Sequence, residues 1–191
     1  MKTEIKIIKA LINLGSPMTI REITKKIKAD YRITHTAITR LINKKAIKTE
    51  KIGRSLLCSL NGSYSGIEIF QAEQERKDEI FKNKNIHQSY KEIMAKIDTK
   101  LFILLLFGSY AKNKKDSHSD IDLVFISNEK EFERKIEDIL SLLPLKTHTL
   151  IFTEKEFKKM HDSKEPNVIK EAVKNNIILY GVEHYYHLKN A

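Results

Sequence analysis

The chain is 191 residues long, with 41% hydrophobic residues and a formal net charge of +10, a composition that supports one large domain or two small ones with separate cores. Its longest apolar run, Leu101 to Phe107, is far too short for the roughly 20 residues of a membrane-spanning helix, and its single cysteine, Cys58, excludes an internal disulfide and a thiolate zinc site. Residues 1–64 hold 14 Lys and Arg against 4 Asp and Glu, whereas residues 65–191 hold 21 of each, so the whole positive excess lies in the first third.

The N-terminus, Met1-Lys2-Thr3-Glu4, leads straight into an amphipathic pattern, without the compact apolar stretch and small-residue cleavage site of a secretory leader; a cytoplasmic location is the default expectation. Ile5, Ile8, Leu11 and Ile12 recur at helical spacing and predict a first helix, stopped by Gly15 and Pro17. Thr19 and Glu22 form a capping box ahead of Ile20, Ile23 and Ile27, which predicts a second, short helix. After a polar turn over residues 28–32, Thr34 is placed to cap a third helix, with Ile38, Leu41 and Ile42 inward and Thr36, Thr39, Arg40 and Asn43 outward. Residues 47–52 and 55–60 then read as two short strands about Gly53-Arg54, with Cys58 a small hydrophobe in the second.

Like charge concentrated on one small module repels itself, and a polyanion relieves it through counterion release. Nucleic acid is therefore the expected partner of this first third. Three small helices followed by a hairpin resemble the winged helix-turn-helix family over residues 1–62. The resemblance implies double-stranded DNA as partner, with residues 34–41 as a recognition helix in the major groove and the hairpin on the backbone or minor groove. Carried over, Thr36, Thr39, Arg40 and Asn43 would face bases or phosphates, and Arg54 at the hairpin tip the DNA backbone. The stretch from Arg40 to Ile47 is short against the family pattern, which suggests that the third helix ends early.

Asn61-Gly62-Ser63 and Gly66 are the concentrated breaker signal in mid-chain and mark the expected domain boundary. Residues 63–99 are charged and helix-favouring, consistent with a connector of two helices, punctuated near Asn83 to Asn85, that links the domains or pairs two chains as a homodimer.

Leu101 to Phe107 is a continuous apolar run that ends abruptly at Gly108-Ser109, the pattern of a fully buried strand stopping at a tight turn. Gly108 would let a phosphate approach the backbone, and Ser109 would offer it a hydroxyl and an N–H. Residues 119–126 predict a second strand whose opening carries Asp120 and Asp122, two positions apart and so on one face. Two such carboxylates repel unless a cation lies between them, and Mg²⁺ takes one or two carboxylates together with substrate phosphates.

Jointly, the Gly108-Ser109 pair, ten intervening residues and the Asp120-Ile121-Asp122 triplet resemble the nucleotidyltransferase superfamily that includes DNA polymerase beta, particularly its minimal branch, over about residues 101–181. The resemblance implies that Gly108 and Ser109 hold the phosphates of ATP or another nucleoside triphosphate and that Asp120 and Asp122 bind Mg²⁺ and are catalytic. A third carboxylate on a later strand would complete the site and help deprotonate an acceptor hydroxyl, with pyrophosphate leaving.

Here the chain departs from the family. Residues 129–143 predict the expected helix and 145–153 the expected strand, yet that strand carries Lys146, Thr147, His148 and Thr149 and no acid. His148 reads as a half-buried polar residue, with a role as base the alternative. Glu154 and Glu156 follow, but Thr153 and Glu156 form a second capping box. Lys112 and Asn113 stand where the family often has Arg and Gly. Ile177 to Gly181 resembles the short final strand of such domains. His87, His118, His161, His184 and His187 show no ligand spacing and predict no zinc site.

The expected architecture is α+β: a winged helix-turn-helix at 1–62, a helical connector at 63–99, and a nucleotidyltransferase-like α/β domain with a small mixed sheet at 100–191. The leading functional expectation is a DNA-binding transcriptional regulator whose second domain binds nucleotide and Mg²⁺. The alternative is an active nucleotidyltransferase acting on a protein, nucleic acid or small molecule, with an antitoxin role in a toxin-antitoxin pair a third reading.

Overall fold

A computed structural model of the chain describes residues 2–112, 120–142 and 146–190. The chain divides into two compact units, Met1–Glu75 with Asn190 and Arg76–Lys189 with Ala191. The division falls inside a helix, while the turn at residues 61–66 lies within the first unit.

The first unit opens with helix α1 (Thr3–Leu14), which buries Ile5, Ile7, Ile8, Ala10 and Leu11. Gly15 ends it in the left-handed conformation, φ 65°, and donates its N–H to the Leu11 carbonyl. A two-residue strand, β1 (Met18–Thr19), precedes helix α2 (Ile20–Ile27). The capping box forms: Glu22 N–H donates to Thr19 Oγ1, and Glu22 Oε2 accepts from the Thr19 N–H at 2.7 Å. These bonds to Thr19 hold the Glu22 carboxyl below its ordinary pKa.

Helix α3 corrects the sequence expectation. It spans Tyr31–Asn43 and its cap is Asp30, whose carboxylate accepts from the Arg32 and Ile33 N–H groups at 2.8 and 3.3 Å. Thr34 lies inside the helix, fully buried, and donates its hydroxyl to the Asp30 carbonyl. The helix also runs on past Arg40 to Asn43 instead of ending early, because Leu41 still buries its side chain. Strands β2 (Ile47–Ile52) and β3 (Ser55–Leu60) follow as an antiparallel hairpin with Ile52 opposite Ser55, and Gly53 takes φ 58° at the turn. The sheet order is β1-β3-β2, with Met18 opposite Cys58. Ile8, Ile23, Ile38, Leu41 and Cys58 form the interior, and burial pushes the Cys58 thiol up to about 11.

Helix α4 (Ile67–Ile80) carries the division between the units, and α5 (Lys84–Lys96) follows it. Within the first unit Glu68 accepts from Lys44 and Tyr64; burial raises its pKa, but these partners more than offset that and leave it lowered. In the second unit, Arg76 donates to the Asn176 carbonyl.

The second unit is built on strands β4 (Ile103–Phe107), β5 (Ile121–Ile126), β6 (Thr147–Phe152) and β7 (Ile177–Tyr180), in the order β6-β5-β4-β7. Strand β4 is antiparallel to both neighbours, while β5 and β6 run parallel, so the sheet is mixed. Every residue of β4 is buried, which is why its sequence is uniformly apolar. On one face Leu104, Leu106, Leu123 and Phe125 pack against Ile86 and Ile93 of α5 and against Phe132 and Ile136 of helix α7 (Phe132–Ser141). Helix α9 (Val168–Lys174) contacts β4, and α8 (Glu154–Asp162) contacts α9 and β6. The short helix α6 (Gly108–Ala111) continues directly from β4, and α10 (Val182–Asn190) follows β7. Strand β5 starts at Ile121, two residues later than the expected start at residue 119, which leaves Asp120 just before it; Ser119 lies outside the described residues. Among the described residues no helix is long and apolar enough to cross a membrane.

Candidate functional site

The strand pattern of the second unit collects its polar residues at one sheet end. Because β4 and β5 are antiparallel, the end of β4 meets the start of β5, and Phe107 stands opposite Asp122. Because β5 and β6 are parallel, the start of β6 lies at that same end, and Asp122 stands opposite His148. Ile121 N–H donates to the Lys146 carbonyl at 3.0 Å and pins this register. Asp122 projects to the face opposite Ile121, Leu123 and Phe125, since neighbouring strand residues alternate.

Gly108 takes φ 68°, and a Cβ built on it would overlap the Asp122 carboxylate. The glycine is therefore demanded twice, by its backbone conformation and by the carboxylate occupying the space beside it. Of the predicted site residues, Gly108 and Asp122 are thus in contact, and Ser109 follows on the first turn of α6. Asp120 is exposed. The Asp122 side chain is 24% exposed and that of His148 61%, with His148 Nδ1 lying 3.3 Å from Asp122 Oδ1. The imidazole thus stands beside the aspartate on the very strand that lacks an acid. Sequence alone did not supply this pairing, because it depends on the register of two strands 26 residues apart.

Lys112, at the end of α6, pairs with Glu171 at 2.7 Å and borders a groove of about 700 Å³ that Lys164, Lys170 and Lys174 also line. Its surroundings are consequently rich in cationic groups, with Glu171 the carboxylate among them.

Among the described residues no group of three or more His, Cys, Asp or Glu side chains is arranged to hold a metal ion. The donors do fit a divalent cation that arrives with a nucleotide: Asp122 and Asp120 would supply carboxylate oxygens, and phosphates would complete the shell, as Mg²⁺ sites commonly require.

In the first unit the candidate surface is the exposed side of α3. Thr36, Thr39, Arg40 and Asn43 are all exposed there, as is Arg54 at the hairpin turn. The Thr36 and Thr39 hydroxyls donate at 3.0 Å to the carbonyls of Arg32 and His35, while both residues stay exposed. Arg40 Nη1 lies 3.3 Å from Glu4 Oε1, yet its side chain is 66% exposed. Arg32 is also exposed and, at helical spacing, heads the stripe that continues through Thr36, Thr39 and Asn43. Placing the helix start at Thr34 hides it; the Asp30 cap, legible as an Asp ahead of a helix-compatible run, is the signal that reveals it.

The family model described as "Polymerase beta, Nucleotidyltransferase" matches residues 85–184. No curated protein and no solved structure matches the chain.

Proposed function

Because the chain belongs to the polymerase beta nucleotidyltransferase family, whose match spans more than half of its length, we propose that its second unit binds a nucleoside triphosphate with a divalent cation and that its first unit binds duplex DNA. The protein is then a DNA-binding transcriptional regulator with a nucleotide-binding domain. The observation that carries the DNA half is the confinement of the +10 excess to residues 1–64, the segment that also presents the polar stripe of α3. The order helix, strand, two helices, hairpin, with β1 closing the sheet, supports a winged helix-turn-helix. On this reading α3 enters the major groove, Arg32, Thr36, Thr39, Arg40 and Asn43 face bases or phosphates, and Arg54 meets the backbone.

In the nucleotide half, Gly108 and Ser109 border the phosphates, and Asp120 and Asp122 hold the cation, Mg²⁺ in the family. A bound cation would neutralise charge on the phosphates and polarise the one under attack. The family match favours a second reading, an active transferase: an acceptor hydroxyl gives up its proton to solvent as its oxygen bonds to the α-phosphorus and the bond to the leaving pyrophosphate breaks. His148 in place of an acid weighs toward binding without turnover.

Two measurements test these readings. Fluorescence anisotropy with a labelled duplex should show affinity falling with salt at a log–log slope of about 0.9 per phosphate contact; absent or salt-independent binding removes the regulator. Incubation with α-labelled ATP and a divalent cation separates the second pair: label transferred to an acceptor and abolished by Asp120→Asn establishes the transferase, whereas binding without transfer leaves the regulator.

A further inference from the structure

Resting on the nucleotide-binding reading of the second unit, we infer that His148 is itself a ligand of the cation, so that the site selects a first-row transition-metal dication over Mg²⁺. The inference begins from the pair of side chains at the sheet end. Asp122 and His148 are register partners on parallel strands, and their facing donor atoms, Oδ1 and Nδ1, lie 3.3 Å apart. That separation places the pair within reach of a hydrogen bond or ion pair. It also matches two donors sharing one ion: atoms about 2.1 Å from a metal and roughly 100° apart are separated by about this distance.

The surroundings suit a ligand better than a structural histidine. The side chain is 61% exposed and buries little apolar surface, so packing does not explain its position. Among the described residues Asp122 is its polar partner, through Nδ1, on a side chain that solvent and a ligand can reach. Asp122 in turn is held from its other side by Gly108, whose missing Cβ makes the room that the carboxylate fills. A carboxylate fixed in this way and an imidazole beside it form two donors of a mixed nitrogen–oxygen site, which the nucleotide's phosphates would complete with oxygens; Asp120, exposed just before β5, does not form a group of three with them.

The donor set then decides the ion. Mg²⁺ is small, dehydrates reluctantly and takes oxygen ligands in octahedral geometry. Imidazole suits borderline dications, and affinity for a nitrogen-containing site rises from Mn²⁺ through Co²⁺ toward the later metals. Exchanging an oxygen donor for His148 therefore weakens the hold on Mg²⁺ and strengthens that on Mn²⁺ or Co²⁺.

Calorimetric titration of the full-length protein with MnCl₂, CoCl₂ and MgCl₂, each alone and with a non-hydrolysable ATP analogue, tests this without an activity readout. Wild type should bind Mn²⁺ and Co²⁺ on the order of tenfold or more tighter than Mg²⁺. His148→Ala should lose most of that preference, and His148→Asp should shift it toward Mg²⁺; because the side chain is exposed, both variants should keep the wild-type melting temperature. The visible absorption of bound Co²⁺ should change when His148 is replaced by Asp. Equal wild-type affinity for Mg²⁺ and Mn²⁺, or an unchanged Mn²⁺ isotherm in His148→Ala, overturns the ligand role while analogue binding preserves the nucleotide reading. Failure to bind the analogue with any of the three metals overturns both.

Discussion

The two units use their polar residues in opposite ways. In the first, the groups proposed to meet a partner lie along one exposed helix face, three and four residues apart, and need only α3 to bring them together. In the second, Gly108, Asp122 and His148 come from the ends of three strands and meet only when the whole sheet is in register. A surface of the first kind tolerates local change and fails one residue at a time. A site of the second kind inherits the stability of its sheet, so a defect far from the chemistry is felt in it.

The largest effect should come from breaking that dependence. Phe125 is fully buried beneath the sheet, against Phe102 and Phe132, on the face away from Asp122. Phe125→Ala should lower the unfolding free energy by about 3–5 kcal/mol, measured by urea denaturation, and should abolish nucleotide binding although the residue touches no ligand. Intact nucleotide binding in a folded variant would separate the site from its sheet. Next comes Gly108→Ala, which forces a side chain into φ 68° and onto Asp122. It should destabilise the protein by about 1–3 kcal/mol and weaken nucleotide binding at least as much, with duplex affinity unchanged. A simultaneous loss of duplex affinity would show the two activities to be coupled.

Arg32→Ala probes the other unit. It should weaken duplex binding by about 1–3 kcal/mol if Arg32 contacts a base, and reduce the salt slope by about one if it contacts a phosphate. Anisotropy titrations at several salt concentrations distinguish the two, and an unaltered isotherm removes Arg32 from the interface. A smaller effect, about 1 kcal/mol of stability, is expected for Asp30→Ala, which removes the cap that starts α3. Thermal denaturation checks it; Thr34→Ala showing the loss while Asp30→Ala does not would return the cap to Thr34.

The same contrast explains what the sequence made legible. Helices α1 and α2, the hairpin and strands β4, β5 and β7 announce themselves because their signals are local: apolar spacing, the Thr19–Glu22 box, a glycine at a turn. The start of α3 is hidden because Tyr31 and Ile33 are 49% and 56% exposed, so the first turn shows no buried face, and Thr34 mimics a cap while lying buried within the helix. Strand β1 is invisible because two residues carry no periodicity; it exists through pairing with β3. The Gly108-Ser109 and Asp120/Asp122 motifs identify the family, since their residue types are fixed by chemistry. What they do not disclose is their neighbour, because placing His148 beside Asp122 requires the parallel register of β5 and β6.

The smallest effect is a change of pH slope confined to alkali, and it reports on the first unit alone. Cys58 is the single cysteine of the chain and is fully buried between β1 and β2 in the middle of β3. Burial raises its thiol from an ordinary value of 9.0 to about 11. A folded state that holds a proton more tightly than the unfolded state is favoured wherever that proton is present. The contribution is therefore complete below about pH 9, where both states carry the thiol proton, and is lost as pH rises from about 9 toward 11, because the unfolded chain gains a thiolate that the folded chain resists. Cys58→Ala should remove this part of the alkaline slope in the difference between wild-type and variant unfolding curves, leaving the lysine and tyrosine contributions that both share. Parallel stability curves for the two proteins between pH 8 and 11 would mean that the thiol is solvated, and that the first unit's interior is open at the centre of its sheet.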